Sequence, residues 1–292
     1  MLSFMDFILD RLPPELASKC LPAEYRLLMY RTCKRLHASL PGLRLGVALR
    51  VTSRPKNLPT LLANTSRKFC LEGLDMSAVT FTVAIVREFS YRKAIDWSHL
   101  KSLTIGDVYL NEHDGIFIPH WLQRCSALTT TDAFGRIPFS DEAWAVARRC
   151  QHINLSLLNK NLASFENVGV ELSKCTQLKT LGFSFNFQMI QESPGSVQMA
   201  LRALSGLTAL DVSCNYTVQD NLPVLMEAWH ASLGTLQVLN LSNMVIQEKT
   251  FRLLGENLSL CDNLRDLNLS KTCMSDRDVE AFLRGLCGGA GP

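Results

Sequence analysis

The sequence predicts an α/β solenoid, with parallel strands on a concave face and helices on a convex one. Three observations lead there. A nine-residue row, typified by LTALDVSCN (Leu207–Asn215), places apolar residues at relative positions 1, 4 and 6. The row recurs: its fourth-position residues are Leu49, Leu74, Leu103, Thr131, Ile153, Leu181, Leu210, Leu239 and Leu267, spaced by 25, 29, 28, 22, 28, 29, 29 and 28. Between rows the apolar spacing changes from two to the three-and-four alternation of a helix. A period this regular belongs to stacked-repeat architectures.

The strand of each layer comes first. Side chains two apart share a face, so Leu210 and Val212 point to the core and Asp211 points away. Asn186 and Asn215 close their rows where the chain must turn, and a buried Asn there can satisfy backbone groups of the turn. The helix follows. Leu222, Leu225, Met226, Trp229 and Leu233 form one helical stripe, Phe251, Leu254 and Leu258 a second, and Val279, Phe282, Leu283 and Leu286 a third. Ser275 with Asp278 three residues on marks a helix start. Strands stack about 4.7 Å apart and helices roughly 8–10 Å apart, so the strand side must be the shorter one. The row Leu128–Arg136 (LTTTDAFGR) is the predicted irregularity. Thr131 and Ala133 replace large apolar residues there, and a spacing of only 22 follows.

These rows resemble leucine-rich repeats of the long, ribonuclease-inhibitor-like, cysteine-containing type, with about nine units over 43–287 and a tail at 288–292. The resemblance implies a non-enzymatic surface for protein partners. On the strand face, Asp132, Phe134, His152, Asn154 and Asp211 are the expected partner-binding residues, grouped around the irregular row. The serines at position 7, from Ser156 to Ser270, read as small residues on a crowded face.

Residues 1–42 fall outside the period and predict a helical N-terminal cap, because a solenoid end leaves an apolar edge to cover. Within it, LPPEL (Leu12–Leu16) followed by CKRL (Cys33–Leu36) resembles an F-box. That resemblance implies binding to the adaptor of a cullin-RING ubiquitin ligase through Leu12, Pro13, Leu16, Leu27 and Leu28, with the repeats as substrate receptor. The segment between the two motifs is about three residues shorter than in that family, nearly one helical turn. The competing expectation is a structural or scaffold component of a larger cytoplasmic or cytoskeletal assembly.

Composition narrows the classes. The 292 residues carry 30 basic and 27 acidic side chains, and 47% of them are hydrophobic. Residues 1–70 are basic and the remainder is net acidic, without the basic-aromatic stripe of a nucleic-acid surface. No apolar run approaches the roughly 20 residues that span a bilayer. No phosphate-cradling, dinucleotide or zinc-hydrolase motif is present, so neither catalysis nor a cofactor nor a metal is expected. Cys125, Cys175 and Cys261 each precede the first residue of a row by three, as small buried side chains would, and place the protein in the reducing cytosol or nucleus.

Overall fold

A computed structural model describes residues 46–51, 58–68, 70–91, 93–106, 117–136, 140–156, 165–186, 190, 192–215 and 222–288. The expected cap and its F-box-like residues Leu12, Pro13, Leu16, Leu27 and Leu28 lie outside the described residues. The chain forms two compact units, Met1–Leu128 and Thr129–Pro292, divided at the start of the irregular row. Both are α/β, built from layers of strand, turn, helix and return.

The first unit runs β1 (Gly46–Arg50), α1 (Leu58–Lys68), β2 (Cys70–Met76), α2 (Val83–Tyr91), β3 (Ser102–Ile105) and α3 (Phe117–Arg124). Its strands pair in parallel, with Leu49 opposite Leu74 and Leu74 opposite Leu103. Leu49, Leu74 and Leu103 are buried. Trp121 of α3 lies 5.0 Å from Phe89, 5.3 Å from Trp97 and 6.2 Å from Phe81, measured between ring centroids. Large offset and edge-on aromatic pairs of this kind dominate core energetics. Arg124, at the end of α3, donates to the carbonyls of Phe89, Ser90 and Ile95 and so ties α3 to the last turn of α2 and the segment after it.

The second unit runs β4 (Thr130–Thr131), α4 (Asp141–Ala147), β5 (His152–Asn154), α5 (Phe165–Ser173), β6 (Thr180–Gly182), α6 (Pro194–Ala203), β7 (Ala209–Asp211), α7 (Leu222–Trp229), β8 (Val238–Asn240), α8 (Glu248–Leu258), β9 (Asp266–Asn268) and α9 (Asp276–Leu286). Parallel pairing puts Thr131, Ile153, Leu181, Leu210, Leu239 and Leu267 each opposite the next, the alignment the period predicts. Leu181, Leu210 and Leu239 are at most 1% exposed. A buried leucine contributes roughly 1.5–3 kcal/mol each, so the column is the main cohesion of the stack.

The closing asparagines act as the sequence suggests. Asn186 Nδ2 donates to the Leu155 carbonyl in the row before, and the Asn186 N–H donates to Asn215 Oδ1 in the row after. Asn215 Nδ2 reaches the carbonyls of Phe183 and Val212. Neighbouring turns are thereby stitched together by side chains that are themselves buried. In the next two rows Met244, buried, and Thr272, which bonds the Leu269 carbonyl, take that slot.

The period-locked cysteines are packing residues. Cys125 and Cys175 are buried, as is Cys150, and each thiol faces the carbonyl four residues back in its helical turn. Burial pushes the Cys150 and Cys175 thiols up to about 12 and that of Cys261 to about 11, which keeps them protonated and unreactive.

Two differences from the expectation have local causes. At the irregular row the Thr131 hydroxyl accepts the Ala133 N–H at 3.1 Å, which ends β4 after two residues and turns the chain into a 3-10 helix over Ala133–Arg136. A seven-residue helix then completes the layer, which accounts for the short spacing. In α9 the stripe divides. Phe282 is buried, while Val279 and Leu283 are 40% and 51% exposed. The reason is the crossing with α8, where a Cβ on Gly255 would meet the Phe282 carbonyl at 2.2 Å and one on Gly285 the Arg252 carbonyl at 2.2 Å. The two backbones touch at glycines, and that contact fixes which face of α9 turns inward. The helix start is as expected: Ser275 and Asp278 form a reciprocal capping box.

Candidate recognition surface

The strand wall of the second unit carries its outward residues in columns. Position 3 supplies Thr130, His152, Thr180, Ala209, Val238 and Asp266; position 5 supplies Asp132, Asn154, Gly182, Asp211, Asn240 and Asn268. The pairing register aligns them row by row, about 4.7–4.9 Å apart.

Position 5 has a structural task. In each of four rows its side-chain Oδ1 accepts the backbone N–H of the position-7 serine: Ser156 to Asn154 at 2.8 Å, Ser213 to Asp211 at 2.9 Å, Ser242 to Asn240 at 3.1 Å and Ser270 to Asn268 at 3.0 Å. Asp75 does the same for Ser77 in the first unit. Burial there works to raise the Asp75 carboxyl, but the Ser77 bonds and the nearby Arg50 guanidinium outweigh it and hold the group below its ordinary value. These are Asx turns that carry the chain out of the strand.

Of the expected site residues, His152, Asn154 and Asp211 stand on the wall. His152 is half-buried, and its Nδ1 lies 2.8 Å from the Thr180 hydroxyl. Asn154 is exposed, and Asp211 is half-buried two rows away. Between them Gly182 leaves a gap in the column. A Cβ at Gly182 would meet Asn154 Oδ1 at 2.6 Å, so the Asn154 carboxamide leans into that gap. Ser156 and Ser184 bridge the same rows through their hydroxyls at 2.7 Å. Asp132 is half-buried at the start of the 3-10 helix. Phe134 departs from the expectation. It is fully buried, because the 3-10 turn that replaces an extended strand rotates its ring into the core, and it presents nothing to a partner.

Phe185 was not anticipated. It occupies position 8, where the next three rows carry Cys214, Asn243 and Lys271, and all four adopt a left-handed backbone with φ between 57° and 60°. The turn imposes that conformation on these four consecutive rows, and a large side chain bears it least well. Phe185 is nevertheless 42% exposed, three residues beyond Gly182 and next to Ser184 in its row. The available signal was that position 8 holds an aromatic residue in this row only, against Cys, Asn and Lys in the rows that follow.

Among the described residues no group of three or more His, Cys, Asp and Glu could hold a metal ion, and no helix is long and apolar enough to cross a membrane. Among the described residues the wall offers hydrogen-bonding side chains and the exposed Phe185.

Solved structures similar to this chain include the following two. An internalin from Listeria monocytogenes is 13% identical with a TM-score of 0.41, over 76% of this chain and 61% of the internalin chain. The leucine-rich-repeat-containing protein LegL7 from Legionella pneumophila is 13% identical with a TM-score of 0.46, over 88% of this chain and 95% of LegL7. This chain therefore spans less than two thirds of the internalin and almost all of LegL7. No protein-family model matches the chain, and no curated protein matches it.

Proposed function

We propose that this chain is a recognition module that binds a protein partner on the strand wall of its second unit, at rows β5 to β7, with Phe185 as the anchor. The carrying observation is the exposed Phe185 ring, kept in a left-handed turn position that polar or small residues fill in the following rows. Exposed aromatic residues beside oriented polar groups are the composition of interface hot spots. His152, Asn154 and Asp211 supply the polar contacts, and no residue on this wall is assigned a catalytic role.

A photo-crosslinking phenylalanine analogue at position 185 tests this, with the captured partner then titrated against variants. Phe185→Lys preserves the fold, since Lys271 already occupies the equivalent slot with φ 59°. It should weaken partner binding by at least tenfold, about 1.4 kcal/mol, at unchanged melting temperature. Undiminished binding by Phe185→Lys and by Asn154→Ala with Asp211→Ala would sink the reading.

The finer form of the proposal makes the module the substrate receptor of a cullin-RING ubiquitin ligase in the cytosol or nucleus. Its support is the LPPEL and CKRL resemblance alone. Co-purification of the ligase adaptor, lost on Leu12→Asp with Leu28→Asp, is the expected outcome. Association with a polymer and no adaptor favours the scaffold alternative.

A further inference from the structure

Position 5 of the first unit holds an ion pair. The register sets Arg50 opposite Asp75 of the next row, and Arg50 Nε lies 3.1 Å from Asp75 Oδ2. The same column of the second unit repeats half of that arrangement. Asp211 stands where Asp75 does, and the residue opposite it in the preceding row is Gly182. The acid is present, and the place of its cation carries no side chain. In the following row the neighbour is neutral in both cases, Thr104 opposite Asp75 and Asn240 opposite Asp211.

Among the described residues no ion pair reaches Asp211. Lys179, the basic residue of the Gly182 row, is turned to the Gly206 carbonyl, 3.4 Å from its Nζ. Nor does the turn at Asp211 require a charge. Asn154, Asn240 and Asn268 hold their serine N–H groups at 2.8, 3.1 and 3.0 Å with a neutral carboxamide, and Asp211 does so at 2.9 Å. A half-buried carboxylate without a counter-charge carries a solvation cost that the fold does not recover. The slot at Gly182 is closed to a side chain rooted there, because its Cβ would meet Asn154 Oδ1 at 2.6 Å. A group that answers Asp211 must therefore arrive from above the wall.

We infer that the protein partner presents a basic side chain, arginine or lysine, to Asp211 over Gly182. It completes on the second unit the pair that Arg50 and Asp75 make on the first. Guanidinium and ammonium groups offer only donors, which suits a carboxylate. The inference rests on the wall being the partner-binding face, and it adds the chemistry that the face selects.

A displayed library of random peptides, selected on the full chain, tests it. The selected peptides should share Arg or Lys at one fixed position. They should bind Asp211→Asn about tenfold more weakly or worse, because that change keeps the turn and removes only the charge. Asp211→Asn should melt with the unchanged chain. A fall of roughly 4 °C or more would mark the carboxylate as already paired within the chain and overturn the inference. Phe185→Asn separates the two proposals, since Asn243 already occupies that turn position with φ 60°. Peptides that lose affinity for Phe185→Asn but bind Asp211→Asn undiminished overturn this inference and leave the wall reading standing. Peptides that depend on Asp211 alone uphold the inference and remove Phe185 as the anchor. Peptides indifferent to both changes, or a selection that yields none, overturn both.

Discussion

The two units solve the same problem, filling the space behind a parallel sheet, with different material. The slot three residues before a row shows it in one layer: before the row at Leu100 it holds Trp97, whereas the neighbouring row at Leu128 has Cys125 there and the rows of the second unit have Ala147, Cys175, Leu204, Leu233 and Cys261. Around Trp97 the first unit gathers Phe81, Phe89 and Trp121 into one aromatic block. The second unit relies on aligned leucines and on asparagines that bond across turns. The two also treat indole N–H groups differently. Trp229 donates to Asn257 Oδ1 at 2.9 Å, whereas the buried Nε1 atoms of Trp97 and Trp121 meet no hydrogen-bond partner among the described residues. The first unit thus sets these two donors against ring packing. The second distributes its stability over many equal contacts.

The largest break in this contrast is Trp121→Ala. It removes the ring that three others touch and should cost about 3–5 kcal/mol in denaturant unfolding. Its counterpart in the second unit is Asn215→Ala, which leaves buried turn groups bare at roughly 1–3 kcal/mol for each. Hydrogen exchange should rise first at the turns around Phe183 and Asn186, and unchanged exchange there would refute the stitching role. The smallest and sharpest comparison sets Trp121→Phe against Trp229→Phe. Both shrink a fully buried ring, so the cavity losses largely cancel. Trp229→Phe also deprives Asn257 of a donor, while Trp121→Phe removes an orphan. The first-unit variant should therefore be the more stable by about 1 kcal/mol.

Much of this fold was legible because the period is a physical repeat. Each fourth-position residue from Thr131 to Leu267 lies opposite its neighbour, and the roles of Asn215 and of Ser275 with Asp278 follow from their side-chain chemistry. The misplaced residues depended on contacts absent from any single row. Phe134 turned inward because Thr131 captured a backbone N–H and ended its strand. Val279 and Leu283 turned outward because Gly255 and Gly285, thirty residues apart, meet across two helices. The candidate site was only half legible. His152, Asn154 and Asp211 are on the wall as expected. Phe185 was hidden because its row was read for its core positions and not for the turn beyond them.

The Asx turns have a consequence for how such a surface can change. A side chain at position 5 must keep an oxygen for the serine N–H two residues on, so that column is confined almost to Asp and Asn. Gly182 is the exception in the second unit. New specificity has to be written beside it, at Lys179, Thr208, Gln237 and Arg265 or at Thr180, Ala209, Val238 and Asp266, where no such duty to the backbone recurs from row to row. An engineer retargeting this wall should diversify those two columns and leave the most ligand-like one alone, because it is part of the frame.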